Sequence, residues 1–413
     1  MTANDTIENI LQQLVTFGPA AGAVTLIWHK GRVLQTAAAG WRDLAARLPM
    51  ERNTLSQIAS MSMPITSVVA LTLLEEGRFS LDEPISRWAP EFATMQVLRA
   101  KDGPPDSVDP AVRPITFRDL LTHCSGLTYG SVHTDALARA YADAFGGMVA
   151  GEQSPDDWIA ALAGLPLIDQ PGAGFHYSCA TDLLGLLLGR MEDMPLGDVM
   201  KRRLFEPLGM ADTRFVVPVE QRHRCSKMYS LNDRGQLIER AAAGPDNASG
   251  ADRPQDMLFP SGGQGLWSTA DDFLTFARLF VGQGAVDGVR ILQPETVRLM
   301  TANHLSQSQR ASARLFGMPL FIDHGFGLGV SVVEDAAMAD PILYGDATGT
   351  VCWPAAYGGW WRADPVEQTI MIFLANNVME LSQPEKGIGQ SVRGAICQFL
   401  STGWRLISEM SER

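Results

Sequence analysis

Between Ile65 and Glu76 the chain is apolar almost all round, with Val68, Val69, Ala70, Leu71, Leu73 and Leu74 spread over every side of a helical projection. A helix without a polar face has to be surrounded by protein rather than laid on a surface. Gly77 follows at the position where a helix ends in left-handed backbone, which glycine adopts without strain. The segment therefore demands a fold large enough to wrap a central helix. A chain of 413 residues with 46% hydrophobic content can bury a core of that size. Ser60 stands at the N-terminal end of this helix.

The flanks set the rest of the architecture. Gly22 to Trp28 is a β-prone apolar run that stops at Lys30-Gly31, and extended character resumes from Arg32 to Ala37, which predicts a β-hairpin. Thr116 with Asp119 resembles a capping box, Ser154-Pro155-Asp156-Asp157 gives an N-cap with Pro at the first helical position, and Thr181 to Met191 is a second strongly apolar helix. Towards the C-terminus a helix starts near Ser268-Thr269-Ala270-Asp271, a strand runs from Glu367 to Leu374, and a last helix covers about Ser391 to Leu400. This order predicts an α/β (α+β) protein in which both ends of the chain, 1–95 and 221–413, build one sheet domain, and 96–220 forms a helical domain. The active site is expected where the two meet.

Composition removes several function classes. The net charge of -13 comes from 46 acidic and 33 basic residues with no long block of either sign, which argues against a nucleic-acid or membrane partner. The first residues lack a basic stretch followed by an apolar one, and no apolar run approaches the roughly 18 residues of a membrane span. A cytoplasmic protein is the expectation. Cys124, Cys179, Cys225, Cys352 and Cys397 are widely spaced with no Cys-x-x-Cys pair, so free thiols are expected. The seven histidines show no zinc-hydrolase spacing.

The chemistry-bearing segments come in a telling order: Ser60-Met61-Ser62-Met63, Leu120-Leu121-Thr122-His123-Cys124-Ser125-Gly126-Leu127, Phe175-His176-Tyr177-Ser178, and Ser261-Gly262-Gly263 through Asp272. Together they resemble the serine β-lactamase and penicillin-binding-protein superfamily, and in particular its class C β-lactamase-like esterases, the family VIII carboxylesterases. The resemblance covers nearly the whole chain. It implies a β-lactamase/transpeptidase-like fold, an antiparallel sheet flanked by helices plus a helical domain, with Ser60 in the nucleophile position and Tyr177 in the second motif. It also shows a departure. The nucleophile pattern is Ser-x-x-Lys, and position 63 is Met, which conserves much of lysine's shape without its titratable nitrogen.

The third motif, often Trp-Gly-Gly in the esterase branch, aligns with Trp353-Pro354-Ala355, counting back from Asp364-Pro365. Proline there removes a backbone donor and alanine adds a Cβ; Tyr357-Gly358-Gly359 is a displaced alternative. Trp353, Pro354, Ala355, Tyr357 and His176 are the candidate substrate-binding residues. Each has a plainer role available: Ser60 as a helix cap, Tyr177 as a satisfied core tyrosine, and the tryptophans as core. An ordinary tyrosine has a pKa of about 10, so about one phenol in a thousand is ionised at neutral pH. Of the lysines, Lys30, Lys101, Lys201, Lys227 and Lys386, none is near Ser60 in sequence, and Lys30 falls in a turn.

Four readings follow. One is a serine esterase or acyltransferase acting on a small ester or amide through an acyl-serine, with Tyr177 moving protons. The others are a catalytically silent member that binds a small ligand, a member doing non-acyl chemistry through Tyr177 or His176, and a Lys-to-Met knock-out of a normal hydrolase. None calls for a metal or organic cofactor, and a homo-oligomer remains open.

Overall fold

The computed structural model describes residues 3–18, 20–130, 136–145, 153–240, 259–315, 318–321, 324–335, 347–378 and 391–411. The predicted hairpin forms as β1 (Gly22–His29) and β2 (Arg32–Asp43), joined by an exposed turn in which Lys30 has φ 44°. With β3 (Leu48–Pro49), β4 (Gly325–Phe326), β5 (Ser331–Val332), β6 (Val351–Ala355), β7 (Gly359–Asp364) and β8 (Thr369–Ala375) they make an eight-stranded sheet in the order β4-β5-β6-β7-β8-β1-β2-β3. All neighbours are antiparallel, and the two ends of the chain meet where β1 pairs β8 from Ala23↔Ala375 to His29↔Thr369.

Residues Thr369 to Ala375 are buried throughout because the sheet is covered on both faces. Ile370, Ile372 and Leu374 join the main core, whereas Met371, Phe373 and Ala375 join a second cluster, as the two-residue side-chain period requires. The second cluster lies under α1 (Ala3–Thr16) and α7 (Val392–Ser411), which pack on each other. On the opposite face α6 (Ala270–Val281) presses Phe273, Phe276 and Phe280 onto Trp361 of β7.

The apolar segment forms α2 (Ser62–Glu75), buried from Ser62 through Leu73. Gly77 has φ +70°, and the Arg78 N–H returns to the Leu73 carbonyl, closing the helix end. Gly329 lies against the other flank of α2, where a Cβ would collide with Ser67 Oγ. Between these elements run α3 (Phe117–Leu121), with the Thr116–Asp119 capping box present, α4 (Pro155–Ala163), capped by Ser154, and α5 (Ala180–Glu192), which packs on both α2 and α3.

Two sequence expectations need adjustment. The last strand begins at Thr369 rather than Glu367, because Asp364 Oδ1 accepts the N–H groups of Val366 and Glu367 and folds those residues into a turn ending at Gln368, φ 53°. The final helix runs to Ser411 rather than Leu400, since the apolar stripe Val392, Ala395, Ile396, Phe399, Leu400 continues to Ile407.

Candidate active site

The Ser60 turn is built by a short bridge and a strained residue. Ser56 and Gln57 pair with Ser268 and Trp267, and the Ile58 N–H donates to the Leu266 carbonyl at 3.0 Å. Ala59 then takes φ +46°, a conformation costly for a residue with a Cβ. The resulting 3₁₀ turn, Ala59–Met61, delivers Ser60 to the start of α2. Ser60 is only 8% exposed, and neither the turn nor the helix carries a side-chain cap hydrogen bond. The Ser60 hydroxyl instead lies within hydrogen-bonding reach of the Tyr177 phenol.

Tyr177 is held on the loop leading into α5. The His176 N–H donates to the His123 carbonyl at 2.8 Å, which places the Tyr177 ring against His123, Tyr129 and Trp353 at centroid distances of 5.2, 5.8 and 5.7 Å. Its hydroxyl donates to Met63 Sδ at 3.5 Å. Met63, in the first turn of α2 and 1% exposed, thus stands where one helical turn carries the side chain from Ser60 to the phenol. Burial pushes the Tyr177 phenol up to about 12, and the Ser60 hydroxyl and the Trp353 indole offset this only in part. His123 is no substitute cation, because burial pushes it down to about 3. Its Nδ1 meets Ser178 Oγ at 3.1 Å, while Nε2 has no hydrogen-bond partner among the described residues.

Trp353, Pro354 and Ala355 end β6, opposite Trp361, Trp360 and Gly359. β5 pairs β6 only through Val351 and Cys352, so the remainder of β6 presents an edge beside the Ala59–Met61 turn. Pro354 is tolerated there because an edge position needs no ladder donor. Trp353 packs with Tyr177 and Phe326 at the site, whereas Trp360 and Trp361 belong to the two cores. Tyr357 and Gly358 form the turn after β6, and Gly359 opens β7 so close to Met61 that a Cβ would lie 2.8 Å from its sulfur.

His176 points its Nε2 to Asp169 Oδ2 at 3.1 Å, an oxygen that Lys101 Nζ also reaches at 2.7 Å. The other described lysines stand elsewhere: Lys30 on its exposed turn, Lys201 with Glu206 and Lys227 with Glu239. Lys386 lies outside the described residues. Among the described residues no three of His, Cys, Asp or Glu are grouped as a metal ion would need. Sequence reasoning assigned no role to Asp182 and Tyr129, which form a buried network behind Tyr177. The available signal was a lone carboxylate inside the apolar helix from Thr181 to Met191.

Comparisons with known proteins find relatives over most of the chain. The chain is 42% identical over 373 residues to an uncharacterized protein of Mycobacterium tuberculosis (strain CDC 1551 / Oshkosh), covering 90% of each. It is 28% identical over 390 residues to esterase EstB of Burkholderia gladioli, covering 91% of this chain and 90% of the esterase. The solved structure of EstCE1, a hydrolase with promiscuous acyltransferase activity, superposes with a TM-score of 0.79 at 26% identity, covering 97% of this chain and 98% of that one. The beta-lactamase family model matches residues 7–386. On its sequence and on its fold, the chain belongs to the beta-lactamase family.

Proposed function

We propose that the protein is an esterase or acyltransferase that forms an acyl-ester on Ser60 with a small ester or amide. The observation that carries this reading is the meeting of Ser60 and Tyr177 over Met63. Ser60 Oγ attacks the substrate carbonyl and its proton passes to the Tyr177 phenolate. A backbone N–H at the Ser60 turn is the donor for the developing oxyanion, and the β6 edge offers none at Pro354. Collapse breaks the bond to the leaving group, which takes the proton from Tyr177, and water or an acceptor alcohol then repeats the sequence to release the acyl group. Relatives named as esterases and acyltransferases support the reaction class. The division into a sheet domain, 1–95 with 221–413, and a helical domain, 96–220, belongs to the same reading, with Ser60 from the first and Tyr177 from the second. The absence of disulfides among the five cysteines supports a reducing, cytoplasmic setting.

The test is hydrolysis of a short-chain p-nitrophenyl ester by the parent, Ser60→Ala and Tyr177→Phe. Loss of turnover in both variants is expected. Turnover that survives Ser60→Ala but falls with Tyr177→Phe would replace the acyl-serine by other chemistry. The neutral Met63 favours a second reading, a silent member that binds a ligand without consuming it. In that case a ligand raises the melting temperature while all three proteins stay inactive.

A further inference from the structure

Asp182 lies in α5, five residues beyond Tyr177, and is fully buried. No Lys, Arg or His pairs with it among the described residues. A buried carboxylate without a cation is costly unless hydrogen bonds replace its water. Three donors do so here: Tyr129 Oη at 2.9 Å on Oδ2, and both the Ser261 hydroxyl and, at 3.0 Å, the Gly263 N–H on Oδ1.

These donors lead to both halves of the candidate site. The Ser261–Leu266 segment grips the nucleophile turn: Thr66 Oγ1 donates to the Gly262 carbonyl at 2.6 Å, the Leu266 N–H donates to Ser62 Oγ at 3.3 Å, and the Leu266 carbonyl takes the Ile58 N–H. Tyr129 packs edge-on against the Tyr177 ring. The segment can approach this closely only because it is Gly-Gly. A Cβ at Gly262 would lie 2.8 Å from the Thr181 carbonyl, and one at Gly263 would lie 2.9 Å from Asp182 Oδ2.

Resting on the acyl-serine reading above, we infer that Asp182 is a positioning residue: its carboxylate clamps the Ser261–Leu266 segment under Ser60 and holds Tyr129 against Tyr177, fixing the two reacting groups relative to each other. It touches no reacting atom. Its removal frees the nucleophile turn and opens the phenol to solvent, whereas asparagine, with the same shape and one acceptor oxygen, keeps most of the clamp.

The test compares the full-length parent with Asp182→Ala, Asp182→Asn and the milder Ser261→Ala. Site-resolved nitration by tetranitromethane at pH 8 is followed by mass spectrometry, with the buried Tyr229 as an internal reference. Nitration of Tyr177 is expected to quicken by about tenfold in Asp182→Ala and by less in Ser261→Ala, to stay near the parent rate in Asp182→Asn, and to leave Tyr229 unchanged. Equal acceleration at Tyr177 and Tyr229 means general loosening and overturns the proposal, as does no acceleration at all. With p-nitrophenyl acetate, Asp182→Ala should lower kcat by about ten- to a hundredfold with KM held. Should the parent not turn the ester over, the acyl-serine reading fails, and the nitration result still decides the clamp.

Discussion

The Tyr177 hydroxyl donates to Met63 Sδ across 3.5 Å, so the phenol proton faces a thioether at the position where the Ser-x-x-Lys pattern that the chain resembles has a lysine nitrogen. A thioether is a weak acceptor and gives no electrostatic support to a phenolate. The Ser60 hydroxyl beside Tyr177 favours the ionised phenol, but burial outweighs this and leaves the phenol neutral at pH 7.

Met63→Lys is therefore expected to raise kcat/KM for a short-chain p-nitrophenyl ester at pH 7 by about 10²–10⁴-fold, the usual worth of positioned acid–base catalysis. Two changes act together: an ammonium beside the phenol lowers its pKa, and the amine itself becomes a base near Ser60. Steady-state kinetics on the parent, Met63→Lys, and Met63→Lys combined with Ser60→Ala checks this. A rate unmoved by the lysine would mean that the pocket has adapted beyond acyl chemistry.

The pH dependence of the parent should be steep. With the phenol pushed up to about 12, about one molecule in 10⁵ carries a phenolate at pH 7, and the fraction rises tenfold per unit. The slope of log kcat/KM is expected to be about one up to pH 10 with no plateau. A plateau near neutrality would show that a base other than Tyr177 is at work.

The fold was legible because its signals are local and redundant. The all-round apolar Ile65–Glu76 run, the Lys30-Gly31 turn, the caps at Thr116 and Ser154 and the helix start near Ser268-Thr269 each fix one element, and all five formed as read. Ser60, Met63 and Tyr177 could be proposed together from motif order, and they do converge in space. The partner of His176 was not legible: its Nε2 meets Asp169 at 3.1 Å, a contact that its place beside Tyr177 in the sequence does not reveal. The Asp182 clamp was illegible because its partners, Tyr129 and Ser261, are far away in sequence and carry no spacing rule.

His123 should make the fold acid-sensitive. Folded, its imidazole is pushed down to about 3 by burial, while unfolding returns it to about 6.5. Between those values the unfolded chain binds a proton that the folded one refuses, so stability present above pH 6.5 is lost as pH falls. At pH 5 the loss from this group is about 2 kcal/mol. His123→Asn tolerates the left-handed backbone (φ 55°) and does not titrate. Urea unfolding at pH 5 and 7 should show a smaller difference for this variant than for the parent.

Pro354 gives the last expectation. It lies on β6 beyond the reach of β5, opposite Trp360, at the edge beside the Ser60 turn. An N–H at this edge could donate to an oxyanion formed on Ser60, and proline has none. Pro354→Gly is expected to raise kcat/KM about tenfold, less than the roughly 10²–10³-fold of an ideally aimed donor, because glycine supplies the N–H without fixing its direction. The same change should cost about 1 kcal/mol of stability through the freedom that glycine returns to the unfolded chain. The two effects separate by measuring ester kinetics and the urea midpoint on one preparation. A lower midpoint with an unchanged rate would place the oxyanion away from this edge, and a higher rate would show that the N–H missing at Pro354 limits the reaction.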